Sequence, residues 1–131
     1  MLESVSLSRN TQVTDKVLKV LTELKRLHNL RIRKCREITS SGLSSFLDSI
    51  AHYQRDLTKF TFWKSDEQHV TDAFFDSLAK VQTITTLEFA ALRIHGAALG
   101  RAIEKLIALE NIVFTDVDII GITKAIQTTL S

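Results

Sequence analysis

Leu27-His-Asn-Leu30-Arg-Ile32-Arg-Lys-Cys35-Arg-Glu-Ile38-Thr39-Ser-Ser-Gly42-Leu43 decides the fold, because two hydrophobic periods meet inside it. In Leu30-Arg31-Ile32-Arg33 apolar and charged residues alternate. That is the pattern of a short strand with one buried face. From Leu43 the period lengthens: Leu43, Phe46, Leu47 and Ile50 fall on one side of a helix. Thr39-Ser40 stands at the junction, where a side-chain oxygen can accept an unpaired first-turn N–H. The stretch reads as strand, loop and capped helix.

The same order recurs along the chain. The strand half repeats as Leu2-x-x-Val5-x-Leu7-x-x-Asn10, Leu57-x-x-Phe60-x-Phe62-x-x-Ser65, Ile84-x-x-Leu87-x-Phe89-x-x-Leu92 and Leu109-x-x-Ile112-x-Phe114. Starts are 25, 30, 27 and 25 residues apart. The helix half repeats as Val13-Thr-Asp-Lys-Val-Leu18, Val70-Thr-Asp-Ala-Phe-Phe75, Ile94-His-Gly-Ala-Ala-Leu99 and Val117-Asp-Ile-Ile-Gly-Ile122. Leu99, Ala102, Ile103 and Leu106 share one helical face, as do Ile122, Ala125, Ile126 and Leu130. Thr14-Asp15, Thr39-Ser40, Thr71-Asp72 and Asp118 are expected to cap helices. Strands are expected at 5–7, 30–32, 60–62, 87–89 and 112–114, parallel, each followed by a helix. A unit this small cannot bury its own apolar face, so units must stack. An all-helical bundle would leave Leu30-Arg-Ile-Arg and Phe60-Thr-Phe-Trp63 unexplained.

This pattern resembles the leucine-rich-repeat family, most closely the intracellular types: the cysteine-containing repeats of F-box proteins and the ribonuclease-inhibitor-like repeats. The last two units depart from it, lacking a polar residue at the Cys35 position. The resemblance implies an α/β solenoid of about five strand–helix units, with a curved parallel sheet inside and helices outside. Residues 1–131 would form a single domain, a segment of a longer repeat protein. The implied role is non-catalytic protein–protein interaction on the concave sheet face. The alternatives are a substrate-receptor segment of an F-box ubiquitin ligase, a ligand-sensing segment of a nucleotide-binding immune receptor, and a cytoskeletal regulator. At the Cys35 position of such repeats the side chain points inward and satisfies loop backbone groups, so Asn10, Cys35 and Ser65 are expected to do this.

Composition sets the outer bounds. The 131 residues are 44 % apolar, enough for one core, and carry a net charge of +2, so no strong global field points to nucleic acid or an anionic membrane. The lone Cys35 cannot form an internal disulfide, which fits a cytoplasmic location. The N-terminus lacks the apolar run of a signal peptide, and no window has the roughly 18 apolar residues of a membrane span.

Candidate chemistry is sparse. His28, His52, His69 and His95 are scattered, with His69 and His95 placed in loops, so no metal centre is expected. Asp66, Glu67 and His69 read as a solvated loop rather than an acid–base pair. Gly42 and Gly121 sit at matching positions, so both are expected to be backbone requirements at helix starts. No phosphate loop, nucleophile elbow or dinucleotide motif is present. An enzyme is not expected, nor a cofactor.

The alternate residues of each strand are more informative, because they must face away from the core. Parallel stacking gives the columns Ser6, Arg31, Thr61, Glu88, Val113; then Ser8, Arg33, Trp63, Ala90, Thr115; then Arg9, Lys34, Lys64, Ala91, Asp116. Arg9, Arg31, Arg33, Lys34 and Lys64 therefore gather around Trp63 and are assigned, with it, to partner binding; Lys59 adds to them. Glu88 and Asp116 lie toward the far end. Two readings stay open: a solvated sheet face with Trp63 packed by long neighbouring stems, or an anchor tryptophan beside arginines that pair with an acidic protein surface. An RNA partner fits the modest charge and acidic far end less well. The final unit is very apolar, from Ile112 to Ile126, so self-association through an exposed end unit is also expected.

Overall fold

The computed structural model describes residues 3–9, 14–63 and 70–120. Leu2, Asn10, Val13, Lys64, Ser65, Asp66, Glu67, His69, Gly121 and the helix expected over 122–130 lie outside these residues.

Strands and helices alternate: β1 (Ser4–Ser8), α1 (Asp15–Thr22), β2 (Asn29–Arg33), α2 (Ser40–His52), β3 (Lys59–Trp63), α3 (Asp72–Leu78) and β4 (Thr86–Ala90). Then follow β5 (Arg93–His95), α4 (Gly96–Lys105), β6 (Asn111–Thr115) and β7 (Asp118–Ile120). Five strands form one parallel sheet in the order β1-β2-β3-β4-β6. Val5, Leu30, Phe60, Leu87 and Ile112 stand in one row, and Leu7, Ile32, Phe62, Phe89 and Phe114 in another. These are the equivalent positions of the five sequence units, so the spacing of the pattern is the register of the sheet.

The two rows face the helices. Leu30, Ile32, Phe60, Phe62, Leu87 and Phe89 are buried together with Leu43, Phe46, Leu47 and Ile50 of α2 and Leu99 and Ala102 of α4. Phe74 of α3 reaches the sheet, its ring about 6 Å from those of Phe60, Phe62 and Phe89. At the sheet edges Val5, Leu7, Ile112 and Phe114 are only half-buried, because each has a neighbouring strand on one side alone among the described residues.

Three of the four expected caps form. Thr14, Thr39 and Thr71 are the N-caps of α1, α2 and α3, and each side chain accepts a first-turn N–H. The fourth does not: Asp118 begins strand β7 instead of capping a helix. Asp-Ile-Ile extends against Arg93-Ile-His, with Arg93 paired to Asp118, Ile94 to Ile119 and His95 to Ile120. The carboxylate of Asp118 meets Arg93 at 3.5 Å. Ile94 is fully buried, so this short second sheet closes the edge of the core between β4 and α4. His95, expected in a loop, lies in β5 and precedes α4.

An arrangement invisible to local pattern joins α1 to α2. Asp15 accepts both the Thr39 backbone N–H at 2.9 Å and the Thr39 hydroxyl at 2.6 Å, while Thr39 Oγ1 accepts the Gly42 N–H at 2.9 Å. In a capping box a Glu at the third helical position would satisfy the N-cap N–H. Here that position is Gly42, and Asp15 does the work from the neighbouring helix. A Cβ at Gly42 would collide with the Asp15 carboxylate. Room for Asp15, not an unusual backbone angle, is the requirement. Gly42→Ala should therefore destabilise the chain by about 1–2 kcal/mol, as the displaced carboxylate loses its bonds to Thr39. With Asp15→Ala already in place, the same substitution should be neutral or stabilising, since alanine is the better helix former by about 1 kcal/mol. Urea unfolding of the four-member cycle checks this; additive losses would contradict it.

Cys35 is buried and its Sγ lies 3.6 Å from the Arg33 carbonyl oxygen, to which the thiol donates. It sits inside the strand-to-helix turn. Native Cys35 should react with a thiol reagent far more slowly than the same chain in denaturant; equal rates would overturn the placement.

Candidate functional site

After four strands of the five-stranded sheet, the next residue turns the chain out of the sheet. Arg9, Lys34, Ala91 and Asp116 hold this position after β1, β2, β4 and β6, and all four have φ near +50°. That left-handed conformation is unfavourable for a side-chain-bearing residue by about 1–2 kcal/mol. It is offset by one more rung of the ladder: the N–H groups of Arg9, Lys34 and Ala91 donate to the carbonyls of Arg33, Trp63 and Thr115 at 2.9, 2.7 and 3.0 Å.

On the face turned away from the helices, this geometry builds one cluster. Arg33 and Trp63 are paired positions of β2 and β3. The Arg33 guanidinium carbon lies 5.5 Å from the centroid of the Trp63 ring. The Lys34 ammonium lies 5.1 Å from the same ring, while its own backbone N–H is held by the Trp63 carbonyl. All three side chains are half-buried. Each cation–ring contact is worth about 0.5–2 kcal/mol. The Nε of Arg33 is buried with no acceptor among the described residues. A buried donor left unpaired costs about 1–3 kcal/mol. The ion pairs of the described residues, Lys80–Asp48, Arg93–Asp118 and His95–Asp72, all lie away from this cluster.

The remaining assigned residues fall around it. Arg31 is half-buried in register with Ser6 and Thr61. Arg9 is exposed and bound through its N–H to the Arg33 carbonyl. Lys59 is exposed at the start of β3. Lys64 is outside the described residues. Thr61 corrects the simple column reading: it faces this side yet is buried, at 7 % exposure. A short side chain on the central strand is shadowed by longer neighbours. Its hydroxyl reaches Glu88 Oε2 at 3.5 Å, a contact that only the strand register reveals.

The three described histidines take separate partners. His28 Nδ1 is 3.0 Å from the Asp56 carbonyl oxygen, His95 Nδ1 is 3.0 Å from Asp72, and His52 packs edge-on against Tyr53. Among the described residues no three metal-ligating side chains converge. No helix among them is long and apolar enough to cross a membrane. Protein-family models, curated proteins and solved structures give no match to this chain.

Proposed function

We propose that the chain is a leucine-rich-repeat solenoid that binds another protein on its open sheet face, without catalysis. Five equivalent strands in chain order, each with its apolar rows in register, support the repeat reading. One observation carries the binding reading. The only tryptophan is half-exposed on β3, the middle strand of five, with Arg33 and Lys34 over its ring. Tryptophan and arginine are the side chains most enriched at binding hot spots, which cluster near the centre of an interface. The buried Arg33 Nε, without an acceptor among the described residues, favours a partner surface rich in acceptors. A buried free thiol fits work in the cytoplasm.

Affinity capture from the source lysate tests the reading. Bait chains would be the wild type, Trp63→Ala, Arg33→Glu, and Lys105→Glu on the exposed side of α4 as control. A protein captured by the wild type and the control, and lost by both open-face variants, is the expected result. Equal capture by all four would overturn it.

A further inference from the structure

We infer that the occupant of the open face is an acidic, extended segment of another protein, lying along β1 and β2 with its carboxylates on Arg31 and Arg33. This rests on the protein-binding reading above. Three features lead to it.

The first is shape. The outward residues of β1 are Ser4, Ser6 and Ser8, all small and exposed, in register with Asn29, Arg31 and Arg33. They make a low shelf one strand spacing, about 4.8 Å, from a wall of long side chains. Their hydroxyls both donate and accept, which suits the backbone of an extended chain. The second is spacing. Arg31 and Arg33 alternate along β2, about 6.6 Å apart, and alternate residues of an extended ligand repeat at the same step. Carboxylates at every second position would meet both guanidinium groups. The third is charge. Two cations crowd one ring, and none of the described ion pairs involves either. A carboxylate placed between them relieves their repulsion.

The same features disfavour a single-stranded nucleic acid. A base would have to stack on a ring that already carries two cations. Glu88, in register with Arg31 two strands away, would repel a phosphate track that crossed the sheet from Arg31.

Trp63 is the sole tryptophan, so its emission reports this site alone. The probes are a blocked decapeptide of alternating Glu and Gly, its Lys-for-Glu counterpart, and decauridylate. The Glu–Gly peptide should change the emission saturably, and its Kd should rise at least tenfold on Arg33→Gln and rise again with salt. Ser6→Glu, at an exposed position on the shelf, should weaken binding similarly, which keeps the test readable if Arg33→Gln fails to fold. The lysine peptide and the decauridylate should give no saturable change. No response to the Glu–Gly peptide, or tighter binding of decauridylate, would overturn the proposal. If the Glu–Gly peptide fails while Trp63→Ala still abolishes capture of a lysate protein, the acidic occupant is wrong and the binding face stands.

Discussion

Phe74→Ala should lower the free energy of unfolding by about 3–5 kcal/mol. Phe74 is fully buried on α3, at the point where that helix meets the middle of the sheet. Its ring lies 6.2 Å from Phe60, 6.0 Å from Phe62, 5.0 Å from Phe75 and 6.3 Å from Phe89. Aromatic pairs of this kind add about 0.5–1.5 kcal/mol beyond area burial. The neighbours are themselves rigid rings on strands and helix, so the cavity left by truncation cannot close. Domains of this size are stable by only about 5–15 kcal/mol, so the variant should sit near the edge of folding. Phe114→Ala is the comparison: half-buried on the edge strand β6, it should lose much less. Urea unfolding of both variants measures the difference. A Phe74→Ala loss no larger than that of Phe114→Ala would mean that the aromatic cluster does not hold α3 to the sheet.

Trp63→Ala should weaken the affinity for a captured partner at least about 30-fold, equivalent to roughly 2 kcal/mol. Arg33→Glu should weaken it as much or more, since it removes a cation and places a like charge against the partner's carboxylates. Neither change should cost much stability. Both side chains are half-exposed, and the cation–ring interaction between them is worth only about 0.5–2 kcal/mol. Titration calorimetry with the captured partner, alongside urea unfolding of the free chains, separates binding from folding. Wild-type affinity in both variants would reduce the cluster to a solvated face.

The sheet was legible because its signal is local and repeated. Leu30-Arg-Ile32 and Phe60-Thr-Phe62 alternate without ambiguity, and equivalent positions in parallel strands have no choice of partner once the apolar rows must face one core. Caps were legible where a threonine precedes an amphipathic run, as at Thr14, Thr39 and Thr71. The same logic failed at Asp118. Asp-Ile-Ile there has the composition of a cap and first turn, but its neighbour in space is the three-residue strand at Arg93–His95, too short to show a period. What depends on contacts between units left no local trace. Asp15 reaches Thr39 across 24 positions, and the reason for glycine at 42 follows only from that contact.

The candidate face was legible to the same degree as the register. Period two placed Arg31, Arg33 and Trp63 on one side, and the structure puts Arg33 and Trp63 in contact. Burial of Thr61 escaped, because it is set by the height of its neighbours, not by its own residue type. Lys34 was expected beside Trp63, but the left-handed turn that brings it there was not, because propensity argues against that conformation at a lysine.

Site-directed photo-crosslinking tests the central claim most directly. A photoreactive residue would replace Ser6 or Arg31 on the open face, or Lys19, Asp76 or Glu104 on the exposed sides of α1, α3 and α4. In the source lysate, the two open-face positions should crosslink one common protein and the three helical positions should not. Crosslinks to that protein from the helical positions alone would place the binding surface on the other side of the molecule.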